Sequence, residues 1–87
     1  MGARRFGQMT VRVLFFGATA DETGKRTLEL SLNAESSADS ALGEVLARFP
    51  RLKNHRLLFA VNQEYVSGDR ILNSGDELAV FTAVSGG

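Results

Sequence analysis

Between Ala38 and Phe49 the apolar residues Ala38, Ala41, Leu42, Val45, Leu46 and Phe49 return at intervals of three and four. On both sides of this stretch they return at every second position instead. The first spacing lines up one face of a helix and the second one face of a strand. One helix with strands before and after it leaves few ways to bury every apolar face, and the simplest is an α+β domain in which that helix covers one side of a mixed sheet. Ser36 or Ser37 is placed to cap the helix, Asp39 suits the positive end of its dipole, and Pro50 stops it. Gly43 inside the helix costs about 1 kcal/mol against alanine, which predicts close packing of helix on sheet there.

Thr10 to Phe16, T-V-R-V-L-F-F, is rich in β-branched and aromatic residues and reads as a strand with Val11, Val13 and Phe15 inward and Arg12, Leu14 and Phe16 outward. Gly17 to Gly24 is polar and bounded by glycine, a loop by composition. Lys25 to Leu32 alternates, with Leu28, Leu30 and Leu32 inward, so the first two strands form an antiparallel hairpin. After the helix, Arg56 to Val61 is a third strand, Asn62-Gln63-Glu64 a turn leading to the short apolar pair Tyr65-Val66, and Asn73-Ser74-Gly75-Asp76 a further turn. Glu77 to Phe81 is the last strand, with Leu78 and Val80 inward and Glu77, Ala79 and Phe81 outward. Residues 82–87 carry no pattern and are expected to be a flexible tail. Residues 1–8 read as a disordered leader or an upstream start, leaving 9–87 as one domain.

All these elements share one core, because 87 residues support a single domain. The chain has no cysteine, so disulfides, thiolate metal sites and a cysteine nucleophile are excluded. Its 44% apolar content has to hold it together instead. Ten basic and ten acidic side chains cancel, which removes the long-range field that nucleic-acid and membrane-surface binders use. No apolar run approaches the ~20 residues of a membrane span, and no export signal is formed around Arg4-Arg5. The expectation is a cytoplasmic protein that binds neither nucleic acid nor membrane.

Groups that could converge on a substrate are scarce. His55 is the only histidine and is expected to be solvated, so no metal site is predicted. Gly24-Lys25 lacks the remaining residues of a phosphate loop. The pairs Asp21-Glu22 and Asp76-Glu77 read as turn residues, and Arg48, Arg51, Lys53 and Arg56 as a solvated helix terminus.

The tail is different. Val84-Ser85-Gly86-Gly87 ends in two glycines, which arises by chance in about one chain in two hundred. A tail without Cβ atoms threads a narrow channel, and it carries the carboxylate of Gly87 away from the globular body. Adenylation would turn that poor acyl donor into a mixed anhydride open to sulfur or amine. Near it, Leu14, Phe16 and Phe81 lie on the uncovered sheet face and are expected to anchor partners.

The residues V-L-F-F-G at Val13 to Gly17, A-V-N-Q at Ala60 to Gln63, G-D-E-L-A-V-F at Gly75 to Phe81 and the terminal V-S-G-G together resemble the family of molybdopterin synthase small subunits over residues 9–87. The resemblance implies a ubiquitin-like β-grasp fold and a sulfur carrier that binds no cofactor of its own. It implies that a ubiquitin-activating-like adenylyltransferase uses ATP to adenylate Gly87. With a sulfur-donor protein the adenylate then becomes a thiocarboxylate. The charged carrier supplies sulfur to the large synthase subunit, in an assembly of two small and two large chains, to form the dithiolene of molybdopterin. Catalytic side chains are implied for that partner, so this chain is not itself the enzyme. Gly86 and Gly87 match the tail that enters the partner's site, with Val84 and Ser85 leading into it, while Phe16, Phe81 and Tyr65 match interface positions. Thr82-Ala83 departs from the two prolines common in the family, leaving the tail more entropy to lose on docking. A thiamine-type sulfur carrier, a ubiquitin-like modifier joined to lysines through Gly87 and a plain binding module are the alternatives.

Overall fold

A computed structural model describes residues 7–83. Four strands form one sheet: β1 (Gln8–Phe15), β2 (Thr27–Asn33), β3 (Leu57–Val61) and β4 (Glu77–Thr82), in the order β2-β1-β4-β3. β1 runs antiparallel to β2 and parallel to β4, and β3 runs antiparallel to β4. The sheet is therefore mixed, and α2 (Ala38–Arg48) is packed against it. This is the β-grasp arrangement that the resemblance implied.

The alternation along each strand does what parity predicts. Val11, Val13 and Phe15 of β1, Leu30 and Leu32 of β2, and Leu78 and Val80 of β4 are buried on one face. They meet Ala38, Ala41 and Val45 of α2, with Leu52 and Leu72 in the same core. Phe15 and Phe49 add an edge-to-face contact, their ring centroids 5.9 Å apart.

Helix α2 starts where its side chains dictate. The Ser37 hydroxyl accepts the N–H of Ser40 at 3.1 Å. The next free donors, the N–H groups of Ala38 and Asp39, are taken by the carbonyls of Arg70 and Gly68 at 2.9 and 2.8 Å. The segment after β3 is thereby fastened to the start of the helix. Pro50 ends α2 as expected and opens a 3-10 helix over Pro50–Asn54 that buries Leu52.

Three details correct the sequence reading. The stretch Gly17 to Gly24 is not a loop throughout, because Ala18–Thr23 forms a short helix, α1. Its composition is polar, but Gly17 at φ 57° and Gly24 at φ 72° supply the two left-handed bends that let six residues turn helically between two strands. Gly43 is exposed and nothing lies within 4 Å of where its Cβ would be, so it does not serve close packing. Gly43→Ala is accordingly expected to stabilise the fold by about 0.5–1 kcal/mol, read as a higher denaturant midpoint at unchanged slope. Finally, β1 begins at Gln8, inside the stretch read as a leader, and pairs there with Asn33. Residues 1–6 of that expected leader lie outside the described residues.

Candidate docking face and tail exit

The strand registers arrange the sheet face away from α2 into three rows. At one end Arg12 stands between Glu29 and Glu77. The middle row runs Thr27, Leu14, Ala79, Ala60. At the far end Phe81 faces Leu58. Phe16 follows Phe15, the register partner of Val80, just past the end of β1, and its N–H lies 3.4 Å from the Val80 carbonyl, so it sits at the same end of the sheet as Phe81. The face thus passes from charged to apolar along its strands, and the apolar end is the one from which β4 leaves the sheet.

Phe16, 52% exposed, and Tyr65, 75% exposed, are two of the three large apolar side chains most open to solvent among the described residues. Tyr65 meets Phe81 edge to face, with centroids 6.1 Å apart. The three predicted interface aromatics are therefore gathered at one end of the sheet. Sequence reasoning missed Leu58 and Ala60. Leu57–Val61, L-L-F-A-V, is apolar at every position, so alternation gives it no readable parity. Only the pairing of Leu58 with Phe81 and Ala60 with Ala79 assigns them to this face.

Beyond β4, the Ala83 N–H reaches the carbonyl of Arg56 at 3.3 Å. The predicted tail residues Val84, Ser85, Gly86 and Gly87 lie outside the described residues.

The start of β4 is held by a polar clasp. Asn62 and Gln63 both have positive φ, 51° and 70°, and form a two-residue turn in which Val61 and Glu64 exchange backbone hydrogen bonds of 2.8 and 3.0 Å. The Asn62 side chain donates to the Asp76 carboxylate at 3.0 Å and accepts the Glu77 N–H at 3.0 Å, and the Asn73 N–H reaches the other Asp76 oxygen at 2.8 Å. Asp76, read from sequence as a turn residue, is 9% exposed. Asn73 belongs to its own turn, but Asn62 comes from a separate one, which adjacency in sequence does not reveal. Asp76→Ala leaves two donors unpaired and is expected to cost about 2–3 kcal/mol in denaturation, with Asp76→Asn costing less because an acceptor remains.

His55 also departs from expectation. Its Nε2 lies 3.3 Å from the Glu22 carboxylate, whose other oxygen is 3.6 Å from the Arg51 guanidinium. The unforeseen helix α1 carries Glu22 to this place, so the cluster ties α1 to the 3-10 helix. Among the described residues no three His, Asp or Glu side chains group so as to hold a metal ion, and no helix is long and apolar enough to cross a membrane.

Comparison with known proteins bears directly on this geometry. The sequence profile of the ThiS family matches residues 13–87. The chain is 42% identical to the human molybdopterin synthase sulfur carrier subunit, the match covering 88% of this chain and 93% of the human protein. It is 33% identical to the Arabidopsis thaliana protein of the same name, covering 88% and 82%. Among solved structures, a candidate molybdopterin converting factor, subunit 1, from Pyrococcus furiosus superposes with a TM-score of 0.82 at 26% identity, covering 87% of this chain and 99% of that one.

Proposed function

The chain belongs to the ThiS family, and from that premise we propose that it is the sulfur carrier subunit of a molybdopterin synthase. The observation that carries this reading is the 42% identity to a protein of that name across nearly the whole of both chains. The apolar end of the free sheet face supports it, because it offers a partner a hold beside the point where the chain departs toward Gly87.

In this reading the reacting group is the carboxylate of Gly87, and the family match extends to that residue. An adenylyltransferase joins the carboxylate to AMP, releasing pyrophosphate from ATP. A sulfur nucleophile delivered by a donor protein then attacks the acyl carbon, expelling AMP and leaving a thiocarboxylate. The large synthase subunit binds the face around Phe16, Leu58, Tyr65 and Phe81 and receives Val84, Ser85, Gly86 and Gly87 in its active site. Two carriers serve two large subunits, and the assembly works in the cytoplasm. The carrier contributes no catalytic side chain and binds no cofactor of its own. Its side chains position the tail, and a tail without Cβ atoms at its tip passes where other residues would not.

Reconstitution tests the reading. The chain, an activating enzyme, ATP and a sulfur donor, followed by the large subunit and cyclic pyranopterin monophosphate, are expected to yield molybdopterin. A carrier that stays uncharged, or that joins to lysines of other proteins, would contradict the reading.

A further inference from the structure

Thr19 is fully buried, and it lies in α1, the helix that composition hid. Its hydroxyl sits 2.7 Å from the Val80 carbonyl and 2.8 Å from the Phe16 carbonyl, and it accepts the Phe16 N–H at 3.0 Å. The Thr19 N–H adds a further bond, to the Phe16 carbonyl at 3.1 Å. Both polar backbone atoms of Phe16 are thus held by one residue. The same hydroxyl reaches the residue immediately before Phe81. Direct pairing of the two segments at this point is weak, since the Phe16 N–H lies 3.4 Å from the Val80 carbonyl. β1 ends at Phe15, so no strand ladder fixes Phe16.

We propose that Thr19 is a positioning residue for partner docking, its hydroxyl setting Phe16 and Phe81 at the spacing the large subunit recognises. The proposal rests on the reading of this face as the docking surface. Phe16 is half exposed and gains little from the core, so its placement is governed by its backbone, and its backbone is governed by Thr19. A hydroxyl suits the task because it both donates and accepts, taking one N–H and sharing its single proton between two carbonyls within reach, in a space that excludes water. Sequence alone gives no hint of this, since a threonine in a polar stretch reads as solvent-facing.

The test is a double-mutant cycle on binding of the purified large subunit by calorimetry, with Thr19→Val, Phe16→Ala and the pair. Thr19→Val keeps the side-chain shape without the hydroxyl and is expected to weaken binding about tenfold, a change worth about 1.4 kcal/mol. Thr19→Ser, which restores the hydroxyl, is expected to bind like the parent. In the Phe16→Ala background Thr19→Val is expected to lose most of its effect. Thr19→Ala, which places a strong helix former in α1, carries the same comparison if the valine variant does not fold. Additive losses, or parental binding by folded variants lacking the hydroxyl, overturn the proposal while leaving the docking face in place. Parental binding by Phe16→Ala overturns the docking face itself, and the proposal with it.

Discussion

Removing Gly87 is expected to abolish sulfur transfer while leaving the denaturation midpoint unchanged. The core of the described residues is complete within Met9 to Val80, and the stability expectation follows from that. The effect of the deletion on chemistry is large because reach is fixed by covalent geometry. One residue of extended chain spans about 3.3–3.6 Å. A carboxylate withdrawn by that distance leaves the contact range of about 3–3.5 Å in which reacting atoms must be held, and misplacement by even about 1 Å costs on the order of a hundredfold in rate. The carrier would lose both activation and delivery, since each step uses the same acyl carbon. Adding one residue after Gly87 is expected to have the same result for the opposite reason. Molybdopterin formed per carrier, measured beside a denaturant titration, checks both variants. Activity that survives either change would show that the reacting group is elsewhere.

The second large effect is expected at Phe81. Its ring packs against Tyr65, its register partner is Leu58, and it lies on the strand that leads toward the tail. An aromatic at the centre of an apolar patch is the kind of residue whose truncation costs about 2–4 kcal/mol of binding, or about 30- to 1000-fold in affinity. Phe81→Ala should therefore weaken the large subunit's affinity by that range. Stability should fall much less, because Phe81 is only partly buried and faces away from the core. Tyr65→Ala should produce a smaller loss in the same assay, since Tyr65 is mostly exposed and acts by shielding the Phe81 ring. A Phe81→Ala variant that binds like the parent would move the docking surface off this face.

The parts of this account that were legible in the sequence are those set by periodicity. Val11, Val13, Phe15, Leu30, Leu32, Leu78 and Val80 alternate with polar or outward residues, and the structure buries every one of them. The spacing of Ala38, Ala41 and Val45 gave the buried face of α2, and Ser37 its cap. The outward position of Phe16 and Phe81 followed from the same parity. What periodicity could not carry was long-range pairing. Leu58 and Ala60 sit in an unbroken apolar run and acquire a face only through their register with β4. Asp76 looks like a turn residue until Asn62 is brought to it from a separate turn. Thr19 and Glu22 were hidden together because a six-residue helix between two glycines is too short to show a period. The thread linking these residues is that each is specified by a tertiary contact rather than by its neighbours. His55 gains its partner, Glu22, in the same way.

The exposed ion pair between Arg12 and Glu29, at 3.8 Å, contributes little to stability in water. The docking proposed for the opposite, apolar end is therefore expected to depend on buried area rather than on this pair.

In the proposed function the Gly87 carboxylate carries sulfur. The most direct test is the intact mass of the protein after incubation with an activating enzyme, ATP and a sulfur donor, with fragmentation to locate any change. The expected result is the gain that accompanies replacement of one oxygen by one sulfur, located at Gly87 and missing from the chain that lacks this residue. An unchanged mass, or a gain located on any other residue, would contradict it.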